Sequence, residues 1–374
     1  MLDVNDRALR NIEVTIDAKQ NLKYRSGFDI TVASELMAIF CLSNNVQELQ
    51  ERINNIIVAY STQNQPIYVK DFNITGAIFK ILKNALYPNA VQSLEGNLAL
   101  IHGGPFANIA HGCNSLFATK TAMNIANYTV TEAGFGSDLG AEKFMDIVCN
   151  NGGISPNAVV LVASVRSLKM HGGADAKNLG VEDIKSLTIG LENIQQHIKN
   201  IKAFNVPLII AINQFASDTK QELKTLANFF AKEKVPYSLT TLFADGSKGA
   251  IDLAKQVIKL TNVKSTLRPV YKINEPLDVK INKIVTRCYG ATKVEYSPLA
   301  QNKLKTYLNK KSYVCMAKTP LTFSDDPKEI IINKPITIHV KDLIIANGAN
   351  FIIVMAGSIF RMPGLPKVPA ACKM

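Results

Sequence analysis

The sequence has no tryptophan, no Cys-x-x-Cys pair and no Gly-x-x-x-x-Gly-Lys-Ser/Thr motif. Without that motif, the usual loop that cradles the phosphates of a nucleotide is missing from these 374 residues. The six cysteines lack any metal-ligand spacing, so we expect reduced thiols and no metal site. An apolar run of 18 residues and an apolar signal-peptide core are also missing. These absences predict a cytoplasmic protein without a membrane span.

The formal net charge is +12 and comes mostly from lysine. Two explanations stay open: a lysine-rich composition spread over the whole surface, or a basic cleft for anionic ligands such as phosphates. Nucleic acid is not expected as a partner, because no dense Lys/Arg block and no basic strand interleaved with aromatic residues occurs.

The segment 98–173 predicts a repeated pattern of strand, glycine turn and helix. Apolar runs at residues 98–102, 128–133 and 159–165 are the predicted strands, and a helix is expected from residue 116 to residue 127. Each strand is followed by glycine together with His, Asn, Arg or Lys. Ligands of open α/β sheets bind outside the carboxyl ends of the strands, so this pattern predicts a ligand site there.

Further strands at residues 207–212 and 237–242 alternate with helical patterns. This alternation predicts an α/β fold with a parallel sheet. The pattern changes after about residue 262, where two helices are expected, and short β-like runs dominate from residue 313 onward. This change predicts a smaller C-terminal α+β region. We therefore expect a partial N-terminal lobe at residues 1–95, an α/β core carrying the site at 96–262, and the α+β region at 263–374.

Two groups of polar residues are the candidates for ligand binding. Arg166, Lys169 and His171 crowd the end of one predicted strand, and three cationic or titratable groups there favour anion binding over packing. Asn213 and Asp218 follow a buried strand, as base-recognition residues do in nucleotide-binding folds. Asp218 has a second explanation, since it can simply cap the next helix.

Two glycine-rich turns can be explained either by packing or by ligand binding. Residues 103–105, followed by His111, suit either a tight strand–helix connection or an anion held by free backbone N–H groups. Gly134 and Gly136 flank Phe135, whose ring suits either the core or a stacking surface. The sequence alone does not separate these alternatives.

Three long runs, at residues 103–112, 131–144 and 162–173, resemble formate–tetrahydrofolate ligase, also called formyltetrahydrofolate synthetase. Shorter runs with the same resemblance lie at residues 5–11, 28–35, 316–319 and 362–366. The resemblance covers essentially the whole chain in the same order. The family's phosphate-binding loop lies N-terminal to the counterpart of Met1, so the chain resembles the family's C-terminal two-thirds.

The resemblance implies a nucleotide-hydrolase-like parallel core and a reaction that joins formate to tetrahydrofolate. It also implies ATP with Mg²⁺, a formyl phosphate intermediate, a monovalent cation (K⁺ or NH₄⁺) and a homotetramer. Carried over position by position, the resemblance assigns the folate residues, which are Phe135, Phe215, Leu239 and Phe243. The position of polar and glycine residues at strand ends and turns supplies the other candidates. The catalytic candidates are Arg166, Lys169 and His111, and the nucleotide or phosphate candidates are Gly134, Gly136, Asn213 and Asp218.

Some positions depart from the family pattern. Phe243 replaces a tryptophan, so stacking on the pterin should weaken because the ring is smaller. Ala216 replaces a proline, which should loosen the loop after Phe215. Ser164 and Ser167 replace Thr and Ala, and the added hydroxyl of Ser167 needs a hydrogen-bond partner.

Two hypotheses of different classes follow from the resemblance. In the first, the chain is an ATP-dependent ligase, present as a fragment or as one piece of a split enzyme. In the second, it is a folate-binding remnant without catalysis. The missing phosphate loop favours the second, whereas the retained site motifs favour the first.

Overall fold

The computed structural model describes Leu9, residues 11–17, 19–20, 22–332 and 334–359, and Arg361. The family-like run at residues 362–366 lies outside the described residues, as does most of the run at 5–11. The five described cysteines are all free and buried, as expected for reduced thiols. None of the described helices is long and apolar enough to cross a membrane.

The helices and strands alternate along much of the chain. The α-helices are α1 (Glu35–Leu42), α2 (Val46–Asn54), α3 (Thr75–Leu82), α4 (Leu116–Ile125), α5 (Cys149–Gly152), α6 (Val165–His171), α7 (Ile184–Ala203), α8 (Lys220–Glu233), α9 (Leu242–Asp245), α10 (Ile251–Thr261), α11 (Leu277–Tyr289) and α12 (Pro298–Tyr307). The strands are β1 (Ile12–Asp17), β2 (Leu22–Ser26), β3 (Ile57–Tyr60), β4 (Pro66–Tyr68), β5 (Asn89–Gln92), β6 (Leu98–Ile101), β7 (Val159–Ala163), β8 (Leu208–Asn213), β9 (Tyr237–Thr240), β10 (Lys293–Tyr296), β11 (Tyr313–Ala317), β12 (Thr337–Ala346) and β13 (Phe351–Ala356).

Two compact units divide the chain, and neither is continuous in sequence. The first contains residues 1–135, 312–318 and 341–374, and the second contains residues 136–311 and 319–340. The sequence predicted three regions that follow one another along the chain, whereas these units each combine separate stretches. The three regions stay a prediction. The mixture of helices and parallel strands confirms the α/β class.

The second unit is built on a parallel sheet with the order β7-β8-β9. Every residue of β8 except its last, Asn213, is buried, as expected for the middle strand of a parallel sheet. One face of the sheet packs on a core formed with α6, α7 and α8, whose centre includes Ile198, Ile210 and Phe230. In the same unit, β10 pairs in parallel with residues 337–340 of β12.

The first unit has a different character. Its strands β1–β2, β3–β4 and β5–β6 form antiparallel pairs, and β11 pairs in parallel with β13. The parallel arrangement expected for residues 98–102 is therefore wrong, because β6 pairs antiparallel with β5. The strand expected at residues 128–133 is also wrong: only an isolated bridge joins Ala133 to Cys113. The helix predicted from residue 116 is confirmed as α4.

Candidate functional site

The carboxyl ends of β7, β8 and β9 meet at one edge of the second unit's sheet. The strands run parallel and in register, with Ala163 beside Ile212 and Asn213 beside Thr240. A further bond, from the Gln214 N–H to the Thr240 carbonyl, extends this pairing beyond the strand β8 (2.9 Å). The residues that follow the three strands therefore share this edge, which is where ligands of parallel sheets bind.

Arg166 follows β7 and lies in the first turn of α6, which Ser164 caps. The Ser164 hydroxyl accepts from the Ser167 N–H at 3.1 Å, and the Ser167 hydroxyl donates to the Ser164 carbonyl at 2.9 Å. The partner that the added Ser167 hydroxyl requires is therefore present. Residues 164–165, expected in the strand, instead start this helix because the serine side chain satisfies its first free N–H groups.

The Arg166 guanidinium lies over the ring of Phe215, 4.2 Å from the ring centre, and donates to the Ser217 hydroxyl at 3.1 Å. A cation–π contact of this kind holds a planar, permanently charged group in one orientation. The sequence correctly predicted a cationic group at this strand end. It did not predict that the aromatic residue after β8 would support it.

Asp218 organises the loop after β8. Its Oδ2 accepts from the Phe215 N–H at 2.9 Å, whereas Thr219 caps α8 through its own side chain. The alternative that Asp218 caps that helix is therefore wrong. Burial raises the pKa of Asp218, partly offset by the Phe215 N–H and by Arg166.

Two buried polar atoms of this edge lack hydrogen-bond partners within the described part of the chain. They are Nε of Arg166, a donor, and Oδ1 of Asp218, an acceptor. Buried polar groups in folded proteins are almost always paired, so an unpaired donor and an unpaired acceptor in one place call for an explanation. A ligand carrying both kinds of polar group would satisfy them.

Apolar side chains lie exposed at the end of β9. Phe243 in α9 is 94% exposed and Leu239 in β9 is 40% exposed. Packing does not account for a phenylalanine that contributes almost nothing to the core. An aromatic ring and an aliphatic side chain presented together suit a flat, partly apolar ligand.

Lys169 lies one turn beyond Arg166 and has a different environment. Its ammonium group donates to Glu222 Oε1 at 2.7 Å and to the Val181 carbonyl at 2.8 Å, and its side chain is 1% exposed. Burial acts to raise the pKa of Glu222, but hydrogen bonds from Lys169 and from backbone N–H groups outweigh it and lower that pKa. The charge of Lys169 is thus neutralised within the protein.

The glycines after Lys169 serve helix packing. A Cβ atom on Gly172 would lie 1.7 Å from the Ser186 carbonyl oxygen, and one on Gly190 would lie 1.8 Å from the Leu168 carbonyl oxygen. Helices α6 and α7 therefore cross with their backbones in contact. His171 is partly buried beside Asn193, and burial lowers its pKa. The segment predicted to bind an anion therefore also contains the point at which helices α6 and α7 cross.

The remaining predicted site residues belong mostly to the first unit. His111 is fully buried there. Gly112 has a φ of +73°, and a Cβ atom on it would lie 2.1 Å from the Cβ of Ala107, so this position requires glycine. Phe135, the last residue of the first unit, is 57% exposed with a φ of +62°. Gly134 bonds through its N–H to the Gly112 carbonyl at 3.1 Å.

Gly136 begins the second unit and is confined by packing. A Cβ atom there would lie 2.8 Å from Cε1 of His197 and 2.6 Å from Oδ1 of Asp138. Hydrogen bonding explains Gly134 and close packing explains Gly136 without a ligand. The nucleotide contact of these two residues stays a prediction.

A buried acidic pair in the second unit was missed by the sequence reasoning. Glu142 and Asp146 are 0% exposed, and the Val270 N–H donates to Asp146 Oδ1 at 2.8 Å. Burial first, and the neighbouring Asp146 second, raise the pKa of Glu142 well above its ordinary value. Burial also raises the pKa of Asp146 to about 7. The missed signal was two acids four residues apart, with Lys143 between them, in a run that is otherwise mostly apolar.

These features define an α/β protein whose parallel sheet carries cationic, aromatic and unpaired polar groups at its carboxyl edge. Comparison with protein families matches residues 1–374 to formate–tetrahydrofolate ligase. The chain is 46% identical over 378 residues to the formate–tetrahydrofolate ligase of Petrotoga mobilis, covering 100% of this chain and 68% of the relative. The Staphylococcus aureus (strain NCTC 8325) ligase gives the same identity and coverage.

The chain belongs to the formate–tetrahydrofolate ligase family. The identity along its whole length supports the ligation of formate to tetrahydrofolate in one-carbon metabolism. The resemblance deduced from the three long sequence runs is confirmed.

Proposed function

We propose that the carboxyl edge of the β7-β8-β9 sheet binds the anionic substrate and the folate in an ATP-dependent synthesis of 10-formyltetrahydrofolate through formyl phosphate. The observation that carries this proposal is the unpaired pair of buried atoms, Arg166 Nε and Asp218 Oδ1, beside exposed aromatic surface. A cationic donor suits a phosphate, and a carboxylate acceptor suits the N–H groups of a base or a pterin.

In this proposal Arg166 is the catalytic residue of the sheet edge. Its guanidinium is held flat on Phe215 and fixed by Ser217, so it would meet a phosphoryl group without having to reorganise. Lys169 is a positioning residue, because its ammonium group is already bound to Glu222 and to Val181. Its effect on the ligand would pass through the position of α6. The catalytic role of His111 stays a prediction for the first unit.

The folate would lie on Phe243 and Leu239, with Phe215 beneath Arg166 completing the apolar wall. A pterin is flat and aromatic, and stacking on an exposed ring buries area on both sides. The folate contact of Phe135, a residue of the first unit, stays a prediction from the family resemblance. Asn213 and Asp218, at the end of β8 and just beyond it, would contact the polar edge of the nucleotide.

The proposal includes Mg²⁺ and a monovalent cation as cofactors of the family. Across the described ranges, no group of three or more His, Cys, Asp or Glu side chains has an arrangement that could hold a metal ion. Mg²⁺ commonly binds through substrate phosphates and water, so it would arrive with ATP.

Three further features belong to the proposal because the family resemblance supports them: a nucleotide-hydrolase-like core, a homotetramer and a cytoplasmic location. The phosphate-binding loop would lie in the third of the family's length that is outside the match, and the sheet edge would act together with it. The folate-binding remnant is the alternative, and the activity assay below separates the two.

A binding experiment tests the site. Tetrahydrofolate is titrated against the chain, a Phe243→Ala variant and a Leu299→Ala control. Leu299 is 53% exposed on α12 and has no place in the proposed site. We expect Phe243→Ala to weaken binding about tenfold, the scale of one lost stacking contact, at unchanged thermal stability. Equal affinity in all three proteins would contradict the folate assignment.

An activity assay tests the reaction. The purified chain is supplied with ATP, formate and tetrahydrofolate, alone and together with the part of the Petrotoga mobilis ligase outside the matched stretch. Because phosphoryl transfer needs a phosphate cradle as well as a cation, we expect product only in the mixture. Product from the chain alone would contradict the assignment of the phosphate loop to another segment. No product in either sample, with folate binding intact, would favour the remnant.

A further inference from the structure

Phe243 lies on an exposed loop of the second unit. This loop, residues 242–249, consists of α9 and most of a 3₁₀ turn at Gly246–Ala250, and neither element contains a buried residue. A helix of only four residues is not stable by itself, because fixing its first turn costs more free energy than its few hydrogen bonds recover. Contacts other than apolar packing must therefore fix the conformation of the 242–249 loop.

Thr241, the residue after β9, supplies these contacts. Its N–H donates to the Gly249 carbonyl at 3.0 Å and so closes the loop on itself. Its hydroxyl donates to Asp245 Oδ2 at 2.6 Å. Its carbonyl accepts from the N–H groups of Ala244 at 3.0 Å and Asp245 at 2.8 Å. The backbone N–H, the carbonyl and the hydroxyl of Thr241 thus all bind the 242–249 loop.

Two glycines allow the loop to close in this way. A Cβ atom on Gly249 would lie 2.6 Å from the carbonyl carbon of Thr241 and 2.6 Å from its Oγ1. A larger residue at this position would therefore push the two ends of the loop apart. The chain reverses at Gly246, whose φ of +59° and ψ of −145° favour glycine.

The sheet holds Thr241 in its place. The preceding residue, Thr240, is 2% exposed, and its hydroxyl donates to the Ile212 carbonyl at 3.2 Å. The Thr240 carbonyl accepts from the Gln214 N–H at 2.9 Å. The rigid carboxyl edge of the sheet therefore fixes the one residue from which the whole 242–249 loop is held.

We propose that Thr241 is a positioning residue, which closes the 242–249 loop and so holds the exposed ring of Phe243 ready for the folate. The inference deepens the proposed function and rests on the folate contact of Phe243. A ligand that meets a preformed loop does not have to order it, so affinity increases without a further contact. Because the loop contains no buried residue, opening it should leave the unfolding of the whole unit unchanged.

The first measurement needs no ligand. Phe243→Trp places the chain's only tryptophan on the loop, and time-resolved fluorescence anisotropy reports its motion. In this background we expect Thr241→Val to increase the amplitude of nanosecond motion at least about twofold, because the loop is then held by fewer bonds. Thr241→Ser keeps the hydroxyl and should keep the wild-type amplitude. Thr188→Val, at an exposed threonine of α7 whose hydroxyl donates to the Ile184 carbonyl, is the matched control and should change nothing.

The second measurement is a titration with tetrahydrofolate. We expect Thr241→Val to weaken binding about fivefold to tenfold, the scale of ordering one mobile group on binding. Gly249→Ala should weaken binding to the same extent through steric opening alone, and Thr241→Ser should restore the wild-type affinity. Gly76→Ala is the control, because no atom lies within 4 Å of a Cβ atom on Gly76. All these variants should unfold at the wild-type temperature.

The inference and the proposed function fail in different ways. If Phe243 binds folate but Thr241 does not position it, Phe243→Ala weakens binding, whereas Thr241→Val changes neither the motion of the ring nor the affinity. If Phe243 has no folate role, Phe243→Ala leaves the affinity unchanged and Thr241→Val changes the motion alone. A lower unfolding temperature in Thr241→Val would also overturn the inference, because Thr241 would then stabilise the whole unit.

Discussion

Helix α6 carries two cationic side chains in different environments. Arg166 lies flat on Phe215 at the sheet edge, with its Nε unpaired. Lys169 is buried in an ion pair with Glu222. The two cations are three residues apart and look alike in sequence. The comparison shows that Arg166 keeps a donor group for a ligand, whereas the charge of Lys169 is neutralised by Glu222 within the fold.

The largest expected effect concerns Lys169. Lys169→Met would leave the buried charge of Glu222 without its cationic partner, and breaking a buried ion pair typically costs about 3–5 kcal/mol. We expect a loss of that size in the free energy of unfolding, measured by urea denaturation. Lys224→Met, at an exposed lysine on α8, is the control. The double variant Lys169→Met/Glu222→Gln should recover most of the loss; a full loss in both would argue against the ion pair as its cause.

A change at Arg166 should affect ligand affinity more than the free energy of unfolding. Arg166→Ala removes a charged donor, and hydrogen bonds to charged groups contribute about 1.5–3 kcal/mol. We therefore expect ATP binding to weaken by about tenfold to a hundredfold in calorimetric titration. Loss of the contact with Phe215 should cost only about 0.5–1 kcal/mol of stability. Arg268→Ala, at an exposed arginine, should change neither quantity. Unchanged ATP affinity in Arg166→Ala would contradict a ligand role for Arg166.

The pair Glu142 and Asp146 avoids a buried charge in a third way, because a raised pKa favours the protonated, uncharged carboxyl group. The pKa of Asp146 is raised from 3.8 to about 7, and that of Glu142 is also raised. Between pH 3.8 and about pH 7 the folded chain therefore binds more protons than the unfolded chain. Stability should therefore fall as the pH rises from about 4 to about 7, by at most about 1.4 kcal/mol per pH unit for each proton.

Glu142→Gln tests this pH dependence, because a neutral amide can donate to Asp146 at every pH. Urea denaturation at several pH values should show a flatter profile for this variant than for the wild type. Glu192→Gln, at an exposed position on α7, should keep the wild-type profile. A wild-type profile in Glu142→Gln would mean that the pair does not retain the proton.

The smallest expected effect concerns Phe243. Phe243→Trp enlarges the exposed ring and should tighten tetrahydrofolate binding by about 0.5–1.5 kcal/mol. Because the chain has no other tryptophan, quenching of the new fluorophore reports binding directly. Leu299→Trp places the same fluorophore on α12 and should not be quenched. Equal or weaker affinity in Phe243→Trp would remove Phe243 from the proposed folate surface.

The sequence was sufficient for the family and for the α/β class. Long specific runs at residues 103–112, 131–144 and 162–173 identified the family, and the apolar alternation located the strands β7, β8 and β9. It failed at residues 128–133, where the apolar residues form no strand. It also failed to pair residues 98–101, which join β5 in an antiparallel hairpin. Strand pairing depends on partners distant in the chain, so a local pattern cannot determine it.

The sequence by itself determined which side chains follow each strand, because that order is written in the chain. Only the tertiary structure decided what those side chains do. Arg166 and Lys169 differ through contacts with Phe215 and Glu222, which lie about fifty residues further along. That Glu142 and Asp146 are buried together was likewise not recognisable from the sequence. Burial and pairing set the state of a charge or a backbone group, and both depend on neighbours that folding brings together.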